Sequence, residues 1–142
     1  MITIDGIEHK ATWLQGLEQS ADILNGENSG RLQATGKMHL EYQGTYFNHK
    51  GELRRDANCT DAEWNALFRT LTNPVNKHVG SFPFEDDKVL EQEVYISQVK
   101  RIPKRIEIIN GKEYVYWNHV FAVTFTAISP AWLPGGNIKG LK

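Results

Sequence analysis

Five histidines, one cysteine, a run of three carboxylates and a run of four cations are the groups in this chain that could do chemistry. A zinc-type centre needs imidazole or thiolate ligands at spacings such as HxH or HExxH. His9, His39, His49, His78 and His119 show neither, so no metal ligands are assigned. His119 falls on the apolar side of a long predicted strand and reads as a core-edge histidine bonded to backbone. A single cysteine excludes an internal disulfide framework and a Cys₄ cage. Cys59 precedes a helix start, where a thiolate can be acidified. It lacks a nucleophile signature and reads as a small buried side chain.

The run Glu85-Asp86-Asp87 could bind a cation or move protons. A calcium loop needs more oxygen ligands at regular spacing and a glycine turn, so the run reads as a solvated turn between strands. Lys100, Arg101, Lys104 and Arg105 place four cations in six residues, in a turn flanked by strands. Three readings stay open: a solvated turn, contact with an acidic neighbour, or contact with nucleic-acid phosphates. No GxGxxG or GxxxxGK[ST] cradle exists, and no serine sits in GxSxG. No catalytic or cofactor-binding residue is identified, and the chain is not expected to be an enzyme. Both charge runs are interface candidates. With the acidic run before the strand Lys88–Val99 and the basic run after it, the two would sit at opposite ends of that strand.

The elements that position these groups are legible in part. Thr60-Asp61-Ala62-Glu63 matches the capping box. Trp64, Leu67, Phe68 and Leu71 then follow at helical spacing, and Asn73-Pro74 stops the run. A helix is predicted over 61–72. Asn110-Gly111 between β-rich runs predicts a hairpin with a type I′ turn. Its second arm alternates as far as Ala127, with Val115, Trp117, His119, Phe121, Val123, Phe125 and Ala127 on one face. At about 3.3 Å per residue that strand is roughly 50 Å long. It must either bend at a bulge or reach beyond its own domain.

Further strands are expected at Ile2–Ile4, within Trp13–Ile23 with a break at Gly16, over Arg31–Tyr42, from Tyr46-Phe47, and over Val79–Phe84. Asn25–Gly30 is expected to be a loop and Asn48–Gly51 a turn. The fold class is therefore mainly β (α+β): an antiparallel β-sandwich or split barrel with one flanking α-helix. Residues 1–133 form one domain, and 134–142, rich in glycine, read as a flexible tail.

Composition narrows the function classes. Sixteen Lys+Arg against seventeen Asp+Glu gives a net charge of −1, unlike a general nucleic-acid binder. Tyr114–Ile138 holds no charged side chain over 25 residues, but its alternation and its two prolines argue against a membrane span. No targeting segment is expected, and the chain reads as soluble.

In the order of its elements the chain resembles small tail proteins of long-tailed phages and prophages of Gram-positive bacteria. The order is a short first strand with a glycine turn, the loop Asn25-Gly26-Glu27-Asn28-Ser29-Gly30-Arg31, and Gly36-Lys37-Met38. The capped helix with Glu63, Trp64 and Leu67 follows, then a hairpin and a long last strand. It is similar in particular to short baseplate-region proteins and the N-terminal domain of distal tail proteins. That resemblance implies a tail-tube-like fold and a non-enzymatic structural role in the virion, with assembly in the bacterial host cytoplasm. It implies a self-assembled ring, a hexamer, whose long strands line a conduit for DNA, with DNA only as passing cargo. Other tail or baseplate proteins would be its neighbours. Larger distal tail proteins carry a second C-terminal domain that is not expected here, so distal ring, tube subunit and tail-completion ring stay open. The alternative is a nucleic-acid-binding β-barrel using the aromatics and the 100–105 cations.

Overall fold

Asp5 and Gly6, with φ of 53° and 80°, turn β1 (Ile2–Ile4) back onto β2 (Ile7–His9). The computed structural model, which describes residues 2–25, 30–31, 38–39 and 42–142, continues with β3 (Ala11–Trp13), β4 (Glu18–Asn25), β5 (Gly30–Arg31) and β6 (Met38–His39). Then come β7 (Tyr42–Arg55), α1 (Asp61–Thr72), β8 (His78–Glu85), β9 (Lys88–Ile109) and β10 (Lys112–Ala127). Eight strands form one antiparallel sheet in the order β2-β1-β8-β9-β10-β7-β3, with β4 also on β7. Lys10 alone separates β2 from β3, yet these strands stand at opposite ends of that order. One residue spans only about 3.3 Å, so the sheet must curl round on itself. The result is a mainly β fold: a nearly closed antiparallel barrel with one helix.

Inward alternation fills the barrel. Leu90, Val94, Phe121, Val123, Phe125 and Leu53 are buried with Ile4 and Phe82. Phe82 meets Phe125 edge-on at 5.0 Å, and Trp13 meets Phe125 at 5.9 Å. The helix closes on this core as its pattern requires. Thr60 accepts from the Glu63 amide and Glu63 accepts from the Thr60 amide, both at 3.2 Å. Trp64, Leu67 and Leu71 are buried, and Phe68 is half-buried. The Trp64 ring stacks on Phe121 at 3.9 Å, and its Nε1 donates to the Asn118 carbonyl at 3.1 Å.

Several expectations need correction. Asn48–Gly51 is not a turn. It lies within the 14-residue β7, paired with β4 on one side and β10 on the other, and neighbours on both edges override the weak Asn and Gly strand propensity. The strand expected within Trp13–Ile23 breaks near Gly16, at φ 95°, as expected, but its two parts, β3 and β4, reach beyond those bounds, to Ala11 and Asn25. Most of the expected strand over Arg31–Tyr42, and the loop at 26–29, lie outside the described residues. The 134–142 segment, read above as a flexible tail, is tied to the body by backbone bonds. Val89 and Lys142 exchange both N–H···O bonds at 3.0 and 2.9 Å, and Glu91 donates to Gly140 at 2.9 Å. The start of β9 offers these groups because β10 pairs it only from Val94 onward.

The barrel interior also holds polar groups. His49 is 1% exposed and its ring lies flat on Phe82 at 4.2 Å. Gln19 Nε2 lies 2.9 Å from His49 Nε2 and donates to it in the tautomer protonated at Nδ1. Burial with no anionic partner lowers its pKa to about 4. Gln92, also buried, donates to the Phe47 carbonyl at 2.7 Å. At the barrel's edge the Asp5 carboxylate accepts from the Val79 amide at 2.8 Å and bonds His78 Nδ1 at 2.7 Å. Burial opposes ionisation of Asp5, but those bonds outweigh it and hold its pKa below the usual value.

Two outcomes follow from this packing. Leu67→Ala is expected to cost about 2–5 kcal/mol, and Phe68→Ala less because Phe68 is only half-buried, both read from urea denaturation. For His49 the unfolded ring takes up a proton near pH 6.5 and the folded ring only near pH 4. Its contribution is therefore complete above about pH 6.5 and lost as pH falls towards 4, on the order of 3 kcal/mol. His49→Gln should flatten that acid limb in denaturation midpoints measured across pH; an unchanged limb would assign it to other groups.

Candidate interaction surface: the β9–β10 ribbon

Val120 is the outermost residue of β10 that pairs with β7, opposite Arg54. β8 accompanies β9 only as far as Val94. Beyond these points β9 and β10 have, among the described residues, no strand neighbours but each other. They leave the barrel as a two-stranded ribbon that ends at Asn110-Gly111, where φ is 53° and 77°. From Arg101 to Ile109 the ribbon is roughly 25 Å long. Such a ribbon has no core of its own, and isolated two-stranded hairpins are marginal in water.

Its side chains are unlike an ordinary solvated hairpin. Ile102, Ile106 and Ile108 are 68%, 57% and 71% exposed, and Ile109, Tyr114 and Val115 are exposed as well. Cross-strand partners share a face. Ile106 stands opposite Val115, so one face carries an aliphatic stripe with Ile108. Arg105 stands opposite Tyr116 on the other face, with its guanidinium 4.4 Å from the ring and 3.1 Å from Glu107.

The basic run is not the turn expected from sequence. Lys100, Arg101, Lys104 and Arg105 all lie inside the continuous β9. Pro103 is tolerated there because among the described residues β9 has no second strand neighbour at that point, and because of a bulge. Tyr116 pairs with Arg105 but Trp117 with Pro103, leaving Lys104 as the extra residue. A second irregularity, between Trp117 and Phe121, breaks the alternation of β10. That break corrects two expectations. His119 is exposed rather than at the core edge, and of the predicted inner face only Phe121, Val123, Phe125 and Ala127 are buried.

Arg101 is not a free interface residue either. Its guanidinium sits between two rings, 3.7 Å from the centroid of Phe68 and 3.8 Å from that of Trp117, and it donates to Asn65 Oδ1 at 3.2 Å. Burial, and then the charge of Arg69, hold its pKa below the ordinary guanidinium value. The sandwich joins α1 to both strands where the ribbon leaves the barrel. Lys100 and Lys104 are exposed. Glu85 ends β8 and Asp86 and Asp87 form the β8–β9 turn, with Asp86 at φ 47° and Glu85 3.9 Å from Lys88. The structure therefore separates the two charge runs along β9 rather than bringing them together. Alternation alone places Ile106 and Ile108 on one face and Arg105 and Glu107 on the other, and does not show that the aliphatic face is exposed.

The remaining candidates show little capacity for chemistry. Burial pushes the Cys59 thiol up, away from a reactive thiolate, and Arg55 occupies the Cys59 carbonyl through Nε and Nη2. Among the described residues no group of three or more His, Cys, Asp or Glu is placed to hold a metal ion. Among the same residues no helix is long and apolar enough to cross a membrane.

Arg101→Met is expected to destabilise the protein by about 1–3 kcal/mol through loss of two cation–π contacts and the Asn65 bond. Lys100→Met should stay within about 0.5 kcal/mol. Equal effects in chemical denaturation would mean the sandwich contributes nothing.

No family model, no curated protein and no solved structure matches the chain, so its functional reading rests on the geometry of the ribbon.

Proposed function

We propose that the chain is a non-enzymatic structural subunit that works by self-assembly, of the kind found in phage and prophage tails. It would form a ring, a hexamer by resemblance, around a conduit through which DNA passes as cargo. In the virion tail its neighbours would be other tail or baseplate proteins. The single observation that supports this reading most is the ribbon: a long two-stranded arm with exposed isoleucines and no partner for them among the described residues of its own protomer. Contiguous exposed aliphatic surface marks an interaction site. Ring closure would also cover strand edges that are otherwise a liability.

The nucleic-acid-binding alternative is weaker on these side chains. Of its four cations Arg101 is enclosed between rings, and that same guanidinium covers one face of Trp117. A base-stacking platform needs both a free ring face and a free positive groove.

The test is light scattering on size-exclusion fractions across protein concentration. Ile106→Ser with Ile108→Ser should leave monomer stability within about 1 kcal/mol, since both side chains are exposed. Self-association should fall at least about tenfold if the pair lies in an interface. A wild-type protein that stays monomeric at every concentration, or a double variant that assembles as well as wild type, would count against the reading.

A further inference from the structure

Where the ribbon joins the body lies a notch with a volume of about 270 Å³. Arg55 of β7, Asp61 and Asn65 of α1, and Lys104, Arg105 and His119 of the ribbon line it. Its charges are unequally committed. The Asp61 carboxylate is taken by Arg55 Nη1, and Arg105 is shared with Glu107. Lys104 has no ion pair or hydrogen bond among the described residues, and His119 is exposed. The first turn of α1 adds its N-terminal partial charge to the same side. The notch is concave and net positive, with a free ammonium at the bulge that projects it.

The complementary surface lies at the other end of β9. The β8–β9 turn is two residues long, closed by the Glu85–Lys88 pair, and narrow because Asp86 adopts φ 47°. Glu85 lies near Lys88, whereas Asp86 and Asp87 have no ion pair among the described residues. Lys104 lies 17 residues along β9 from Asp87, roughly 50 Å away at strand spacing. A protomer therefore cannot bring its own turn into its own notch.

We propose that the notch receives the β8–β9 turn of a second copy of this chain, placing Asp86 and Asp87 beside Lys104, Arg105 and His119 of its neighbour. The proposal rests on the self-assembly reading and adds the surfaces that meet. The contact is heterologous: each protomer offers its turn at one end and its notch at the other. Such contacts repeat head to tail and close into a ring where the rotation allows. The charge pairing sets register and salt dependence.

The test is a charge swap read by light scattering at low and high salt. Lys104→Glu and Asp87→Lys both change exposed side chains, and Asp87 is not among the positive-φ residues, so neither should disturb folding, which circular dichroism checks. Each single variant is expected to weaken association about tenfold at low salt. The double variant should recover at least half of that loss, with all differences shrinking at high salt. Strict additivity in a protein that assembles overturns the docking and leaves self-assembly standing. A wild type that stays monomeric overturns the self-assembly reading and the docking with it. Binding of a single-stranded oligonucleotide to wild-type protein, abolished by Lys104→Glu while association is unchanged, would assign the notch to phosphate and overturn the proposal.

Discussion

The pairing of β9 with β10 is the constraint on which the rest of the structure depends. Inside the barrel this pair is flanked by β8 and β7, and its inner face carries Leu90, Val94, Phe121, Val123 and Phe125. There each backbone bond is backed by apolar burial, about 25 cal/mol per Å² removed from water. Outside the barrel the same two strands continue without a core. Cross-strand pairs such as Ile106 with Val115 contribute only a fraction of a kcal/mol each. The ribbon keeps its register because the barrel holds its base, not because its own contacts suffice.

Arg101 connects these two regimes. Its guanidinium between Phe68 and Trp117 joins the helix to both strands where support from the barrel ends. The stacked Trp64–Phe121 pair and the Trp64–Asn118 bond lie on the same side, across the stretch where β10 loses its alternation. A lysine could not replace this group, because a planar guanidinium covers two aromatic faces at once and a compact ammonium does not. The helix thus sets the direction in which the ribbon leaves the body. It also forms one wall of the notch beneath the ribbon.

His49 and Glu63 both serve the packing of the barrel and its helix. His49 is neutral inside the barrel against Phe82. Glu63 caps the helix, and its pKa lies below the usual value because Lys10 and then Thr60 bond to it. Both groups are placed by the fold, and among the described residues the buried Nδ1 of His49 has no hydrogen-bond partner. The surface of different character is the ribbon, with exposed aliphatic residues on a strand pair that projects from its domain.

Local chemistry was readable from the sequence wherever one element satisfied its own rules. The capping box and the helical stripe gave α1 its bounds, because Thr60 and Glu63 close their bonds within four residues. Asp5-Gly6 and Asn110-Gly111 gave their turns, because few residues accept positive φ. The mainly β class with a single helix followed from alternation. Decisions that required a distant neighbour were left to the tertiary structure. Pro103 and the cations around it looked like a turn, yet β9 runs through them because β10 pairs alongside and a bulge takes up the extra residue. Asn48–Gly51 stays extended because strands flank it on both edges. Arg101 is enclosed only because Phe68 and Trp117, 33 and 16 residues away in sequence, converge on it. Alternation in sequence marks which side chains share a face, but whether that face is buried depends on where the barrel ends, and only the closed sheet sets that limit.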